Sequence, residues 1–109
     1  MKELMTRSLW RDEARSLEIV HDAENRFYEI REDNESAGLL IYEAQGDHYS
    51  LTHTYIQEGH RGRGLVTLLV REALCDIRSQ GVVVTNRCPV IDRFIEKYPD
   101  FSDLVGPLH

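Results

Sequence analysis

Cysteine is scarce in this chain: Cys75 and Cys88 are the only two, and they lack CxxC spacing. That excludes the dense disulfide framework of small secreted domains, and both are read as reduced thiols. The five histidines show no metal-ligand spacing with them, so no metal site is expected. Long apolar runs are missing as well. No stretch approaches the ~18 apolar residues of a membrane span, and Met1-Lys2-Glu3-Leu4 leads into charges instead of an apolar segment. A cytoplasmic location without a membrane partner is the expectation. Basic residues are outnumbered, 13 Lys and Arg against 19 Asp and Glu, for a net charge of -6. This argues against a nucleic-acid partner, which demands a basic face, and suits a cationic substrate better.

What is present fills one domain of 109 residues. Residues 1–16 mix charges with isolated Leu9 and Trp10 and read as an appended arm or helix, with the domain proper over 17–109. Leu17 to His21, Phe27 to Glu32, Ala37 to Ala44 and His48 to Ile56 are rich in β-branched, aromatic and aliphatic residues. Turn formers separate them, as expected of an antiparallel meander. After Gly64 the period changes: Leu65, Leu69, Ala73 and Ile77 form one helical row, ending near Gly81. Val82-Val83-Val84, apolar on both faces, predicts a short strand inside the sheet. A right-handed crossover through the helix makes it parallel to His48 to Ile56. Pro89 to Lys97 predicts a second short helix with Ile91, Phe94 and Ile95 inward. The fold class is therefore α/β in the α+β sense: a mixed, mostly antiparallel sheet with one parallel β-α-β crossover.

Strand, glycine turn and helix over Thr52 to Val70 form the most informative constellation. Gly62 and Gly64 would let backbone approach a phosphate, and the helix start near Leu65 offers free amides and a positive dipole end. Arg61 and Arg63 add charge at the same mouth. The same glycines also suit a plain strand-to-helix turn, and both readings stand at this level. The absence of Gly-Lys-Ser/Thr after the glycines excludes a P-loop, and no second βαβ unit remains for a dinucleotide fold. Lys97 is expected to lie away from this turn. Cys88 precedes Pro89 at a helix entrance, where free amides favour a thiolate, although a buried cysteine filling a gap fits the position too. His53 is expected on one strand face with Leu51 and Tyr55, near the turn; a histidine satisfied within the core fits that face, and imidazole is also a side chain suited to proton transfer near neutral pH. The charges of Glu29 to Glu35 read as a solvated face.

Three spaced segments, His53-Thr54-Tyr55-Ile56, Arg61-Gly62-Arg63-Gly64-Leu65 and Cys88-Pro89-Val90 through Val105, together resemble the YjdJ-type N-acetyltransferase domain, a small branch of the GNAT superfamily. The resemblance implies a GNAT-like sheet whose two central parallel strands splay to admit the pantetheine arm of acetyl-coenzyme A, the co-substrate. It maps the coenzyme site onto Tyr55, Ile56, Arg61, Gly62, Arg63, Gly64 and Leu65. It implies Cys88 as a catalytic residue, with His53 as proton acceptor. A small-molecule or protein amine is the implied acceptor, and a monomer or weak homodimer the expected assembly. Val66 departs from the superfamily pattern, which has Gly or Ala there. That departure keeps an alternative open: a non-catalytic domain that binds or senses acyl-coenzyme A.

Overall fold

All but the last strand follow one another closely in this chain, and each pairs with its sequence neighbour. The computed structural model describes residues 6–105. It forms one sheet of β1 (Thr6–Asp12), β2 (Leu17–Asp22), β3 (Phe27–Glu32), β4 (Glu35–Gln45), β5 (His48–Ile56) and β6 (Val83–Asn86), in that spatial order. All pairings are antiparallel except β5 with β6. The helices are α1 (Leu65–Gln80), α2 (Pro89–Lys97) and a terminal turn, α3 (Ser102–Val105). The β3–β4 hairpin turns through Asp33 and Asn34, both at positive φ, as a tight turn between right-twisted strands requires. Asp and Asn tolerate that region better than other side chains.

Period 2 sets the two faces. On β3, Tyr28, Ile30 and Glu32 are buried while Phe27, Glu29 and Arg31 are half-exposed. Leu17 and Ile19 of β2, Leu40 and Tyr42 of β4, and Tyr49 and Leu51 of β5 join the inward set. They meet Leu65, Leu69, Val70, Ala73, Leu74 and Ile77 of α1 and Ile91 and Phe94 of α2 in one core. The buried row of α1 repeats every three to four residues, the stripe its sequence predicts. A polar group runs through this core. His21 Nε2 lies 2.7 Å from Tyr42 Oη, and the imidazole stacks on Tyr28. Asp76 of α1 accepts from Tyr28 Oη at 2.8 Å, Gln80 Nε2 at 2.6 Å and Arg7 at 3.1 Å.

Two elements differ from the sequence expectation. The described part of 1–16, expected as an arm or helix, is the edge strand β1 followed by a 3-10 turn at Glu13–Arg15. Leu9 and Trp10 pack against the core, and Arg7 bridges to α1. The strand expected inside the sheet, β6, is its other edge, with Val83 58% exposed. The parallel crossover and the second helix at Pro89–Lys97 stand as expected.

Candidate active site

Pairing of β5 with β6 extends only from His48 with Val83 to Leu51 with Asn86, and an Arg87 N–H to Leu51 carbonyl bond closes it. Beyond Leu51, β5 runs on to Ile56 while the other chain turns into α2. Residues 52–56 thus have β4 on one side and, among the described residues, no strand on the other. The divergence opens a cleft of about 420 Å3 between Thr54, Tyr55 and Ile56, the turn and first residues of α1, and Val90, Arg93, Phe94 and Lys97 of α2. The charged side chains lining it, Arg61, Arg93 and Lys97, are all basic. In a chain of net charge -6 that is a local reversal of sign.

The turn that borders this cleft needs its glycines for their backbone. Gly62 and Gly64 have φ of 85° and 75°, where an L side chain costs about 1 kcal/mol. A Cβ at either would meet no protein atom within 4 Å, so conformation, not crowding within the protein, selects glycine. Gly64 is also the N-cap of α1, and no side chain caps the opening amides. They are the unpaired donors that an anion satisfies. Gly38 has the opposite reason. A Cβ there would stand 2.5 Å from the Tyr55 carbonyl oxygen, so β4 presses directly on the strand that walls the cleft.

Most coenzyme-site positions expected from sequence converge here: Tyr55, Ile56, Arg61, Gly62, Gly64 and Leu65 line the cleft, and Val66 joins them. Arg61 donates through Nε to the Ile56 carbonyl at 3.0 Å, which leaves its terminal nitrogens without a protein partner among the described residues. Arg63 is turned elsewhere, bound to both oxygens of Glu32 at 2.7 and 2.5 Å. His60 Nδ1 lies 2.6 Å from the same carboxylate. Glu32, read in sequence as part of a solvated face, is 8% exposed. The His60 hydrogen bond, with Arg63 beside it, holds its carboxyl below the usual range in spite of burial. Lys97, expected remote from the turn, shares the cleft with it.

The two expected chemical residues are separated by the sheet. Cys88 is the N-cap of α2 with Pro89 in the first turn, as its sequence predicts, yet it is only 3% exposed. Its thiol donates to Thr54 Oγ1 at 3.5 Å, and Thr54, not Cys88, lines the cleft. His53 does not share a face with Leu51. The register shifts between Ile41 and Tyr42, so that Ile41 faces His53 and Tyr42 faces Leu51. Thr52 is the extra residue of this bulge, its hydroxyl donating to the Ile41 carbonyl. His53 and Tyr55 consequently stand exposed on the face away from the core. Among the described residues no cluster of His, Cys, Asp or Glu is disposed to hold a metal ion.

A mostly antiparallel sheet that splays at its single parallel pair, over a glycine turn and an uncapped helix start, defines an acyltransferase-type α+β domain. The profile of the GCN5-related N-acetyl-transferase family matches residues 27–104, and the chain belongs to that family. Among solved structures, a ribosomal-protein-alanine N-acetyltransferase from Brucella melitensis biovar Abortus 2308 is similar in fold, with a TM-score of 0.51 at 14% identity. The similarity covers 87% of this chain and 65% of that one, so the chain spans about two thirds of that enzyme's length. No curated protein matches it.

Proposed function

We propose that the protein transfers an acetyl group from acetyl-coenzyme A to an amine. The observation that carries this reading is the cleft itself: an apolar slot whose charged residues are all basic, opening on the uncapped start of α1. A coenzyme A molecule joins those properties, with phosphates for the turn and for Arg61, Arg93 and Lys97, and a flexible pantetheine arm for the gap beside Thr54.

In this reading the thioester reaches the gap from the core side, and the amine arrives from the outer face. There Tyr55 is 41% exposed, and His53, two residues earlier on the strand, is exposed on the same face. The amine nitrogen attacks the thioester carbon, the unpaired backbone of β5 near Tyr55 donates to the developing oxyanion, and the carbon–sulfur bond breaks. His53 accepts the proton that the amine loses. The departing thiolate takes a proton from the Thr54 hydroxyl, which Cys88 resupplies through their shared hydrogen bond. Because Thr54 stands between the buried thiol and the cleft, this proton route is favoured over an acyl-cysteine.

Calorimetric titration with acetyl-coenzyme A, followed by release of free thiol in the presence of a panel of small amines and amino-terminal peptides, tests the reading. Binding with amine-dependent release is expected. Binding without release under any amine would favour the sensing domain, and absence of binding would sink both.

A further inference from the structure

Glu32 is unusual in its surroundings. It ends β3 on the core-facing side, opposite Leu17 of β2, where a leucine or valine would pack without loss of hydration. A carboxylate is tolerated in such a place when donors surround it, and its donors all belong to one short segment. Arg63 offers two N–H groups, and His60 lies 2.6 Å away through Nδ1. Residues 60–63 carry Gly62 and run directly into Gly64 and the uncapped start of α1. Two glycines at positive φ leave that turn little intrinsic stiffness. The charge of Arg63 is spent on the same carboxylate, whereas Arg61 keeps its terminal nitrogens open to the cleft.

Resting on the acyl-coenzyme A reading of the cleft, we propose that Glu32 is a positioning residue. It fixes the glycine turn against β3 so that the first amides of α1 and Arg61 meet the pyrophosphate already oriented. Arg63 is accordingly an internal counter-charge and no phosphate ligand.

The test compares two acetyl donors, acetyl-coenzyme A and S-acetylpantetheine, which has the reacting thioester but no phosphate. Glu32→Gln preserves shape and removes the charge. It is expected to weaken coenzyme A binding about tenfold and to lower kcat/KM for acetyl-coenzyme A by a similar factor, mostly through KM. Transfer from S-acetylpantetheine should stay at the wild-type rate. Glu32→Asp, which keeps the charge but shortens its reach to Arg63 and His60, should give a smaller loss of the same selective kind, so the test survives if Glu32→Gln fails to fold. Combining Glu32→Gln with Arg63→Gln should add little, because they break one linkage. Unchanged coenzyme A affinity in Glu32→Gln, or equal loss with both donors, overturns the proposal. So does a second tenfold loss on adding Arg63→Gln, which would mean that Arg63 touches phosphate. Failure of the wild-type protein to bind coenzyme A would instead refute the reading of the cleft.

Discussion

Single residues decide how close β4 lies to the strand that walls the cleft and which thiol a reagent meets. Gly38→Ala would drive a methyl group into the Tyr55 carbonyl, 2.5 Å away, and the backbone of β5 would have to move. A loss of about 1–3 kcal/mol in stability is expected, read from urea midpoints, together with weaker acetyl-coenzyme A binding. The cysteines should reverse the order their sequence contexts suggest. Cys88 has the helix entrance, but it is buried behind Thr54; Cys75 is exposed on α1. Partial desolvation of its sulfur, with Glu72 nearby, pushes the Cys75 thiol pKa up and slows its alkylation without blocking it. Brief iodoacetamide treatment of the folded protein should therefore label Cys75 first, and Cys88 only after denaturant is added. Early labelling of Cys88 would show that Thr54 swings aside. The cysteine's place at the start of α2 was legible from Cys88-Pro89, and its burial stood as one of two readings there; what decides between them is Thr54, far away in sequence. Glu32 was illegible for the same reason, since its partners His60 and Arg63 belong to the other side of two intervening strands.

Elements with a strong period were read well. Strands β2 to β5 and both longer helices lie where alternation and the 3.6-residue row put them, because each buries a continuous side, β5 only as far as Leu51. Edge strand β1 has no such pattern: it buries little, and charges stand at both ends of Thr6–Asp12. It nevertheless covers the edge of β2, supplies Leu9 and Trp10 to the core and holds Asp76 through Arg7. Removing residues 1–16 is therefore expected to lower the melting temperature by several degrees and to promote association through the bared edge, measured by calorimetry and light scattering. An unchanged transition would mean that β1 is dispensable. The Thr52 bulge escapes any period-2 reading, since one extra residue exchanges the faces of everything after it. The cleft side of α2 was available: Val90, Arg93, Phe94 and Lys97 fall on one helical face, and three of the four positions differ from the inward Ile91 row.

Across the whole molecule, two buried groups respond to acid in the same direction. Burial lowers the His21 pKa from 6.5, opposed by Asp76 and reinforced by Arg7. Asp22 also acts on it, and Tyr28 and Tyr42 pack against it. The unfolded chain therefore gains a proton there before the folded one does. That stability is complete above pH 6.5 and declines as pH falls toward the lower folded value. Glu32, whose carboxyl is held below 4.5, contributes stability above its unfolded value that is lost as pH falls through the folded one. Urea midpoints should decline in two stages, the first beginning near pH 6.5, and His21→Gln should flatten that first stage alone. A midpoint constant from pH 7 to pH 5 in the wild-type protein would contradict this assignment.

The order of the sheet also bears on how the protein forms. Strands β1 to β5 are joined by short turns, so their pairings close small loops, whereas β6 reaches β5 only after the whole of α1 has been laid down. The meander can thus assemble before the cleft exists. If β6 and α2 dock after the rate-limiting barrier, the coenzyme has nothing to hold in the transition state. Acetyl-coenzyme A would then leave the refolding rate unchanged and slow unfolding, making the ligand a brake on loss of the native state and no aid to reaching it.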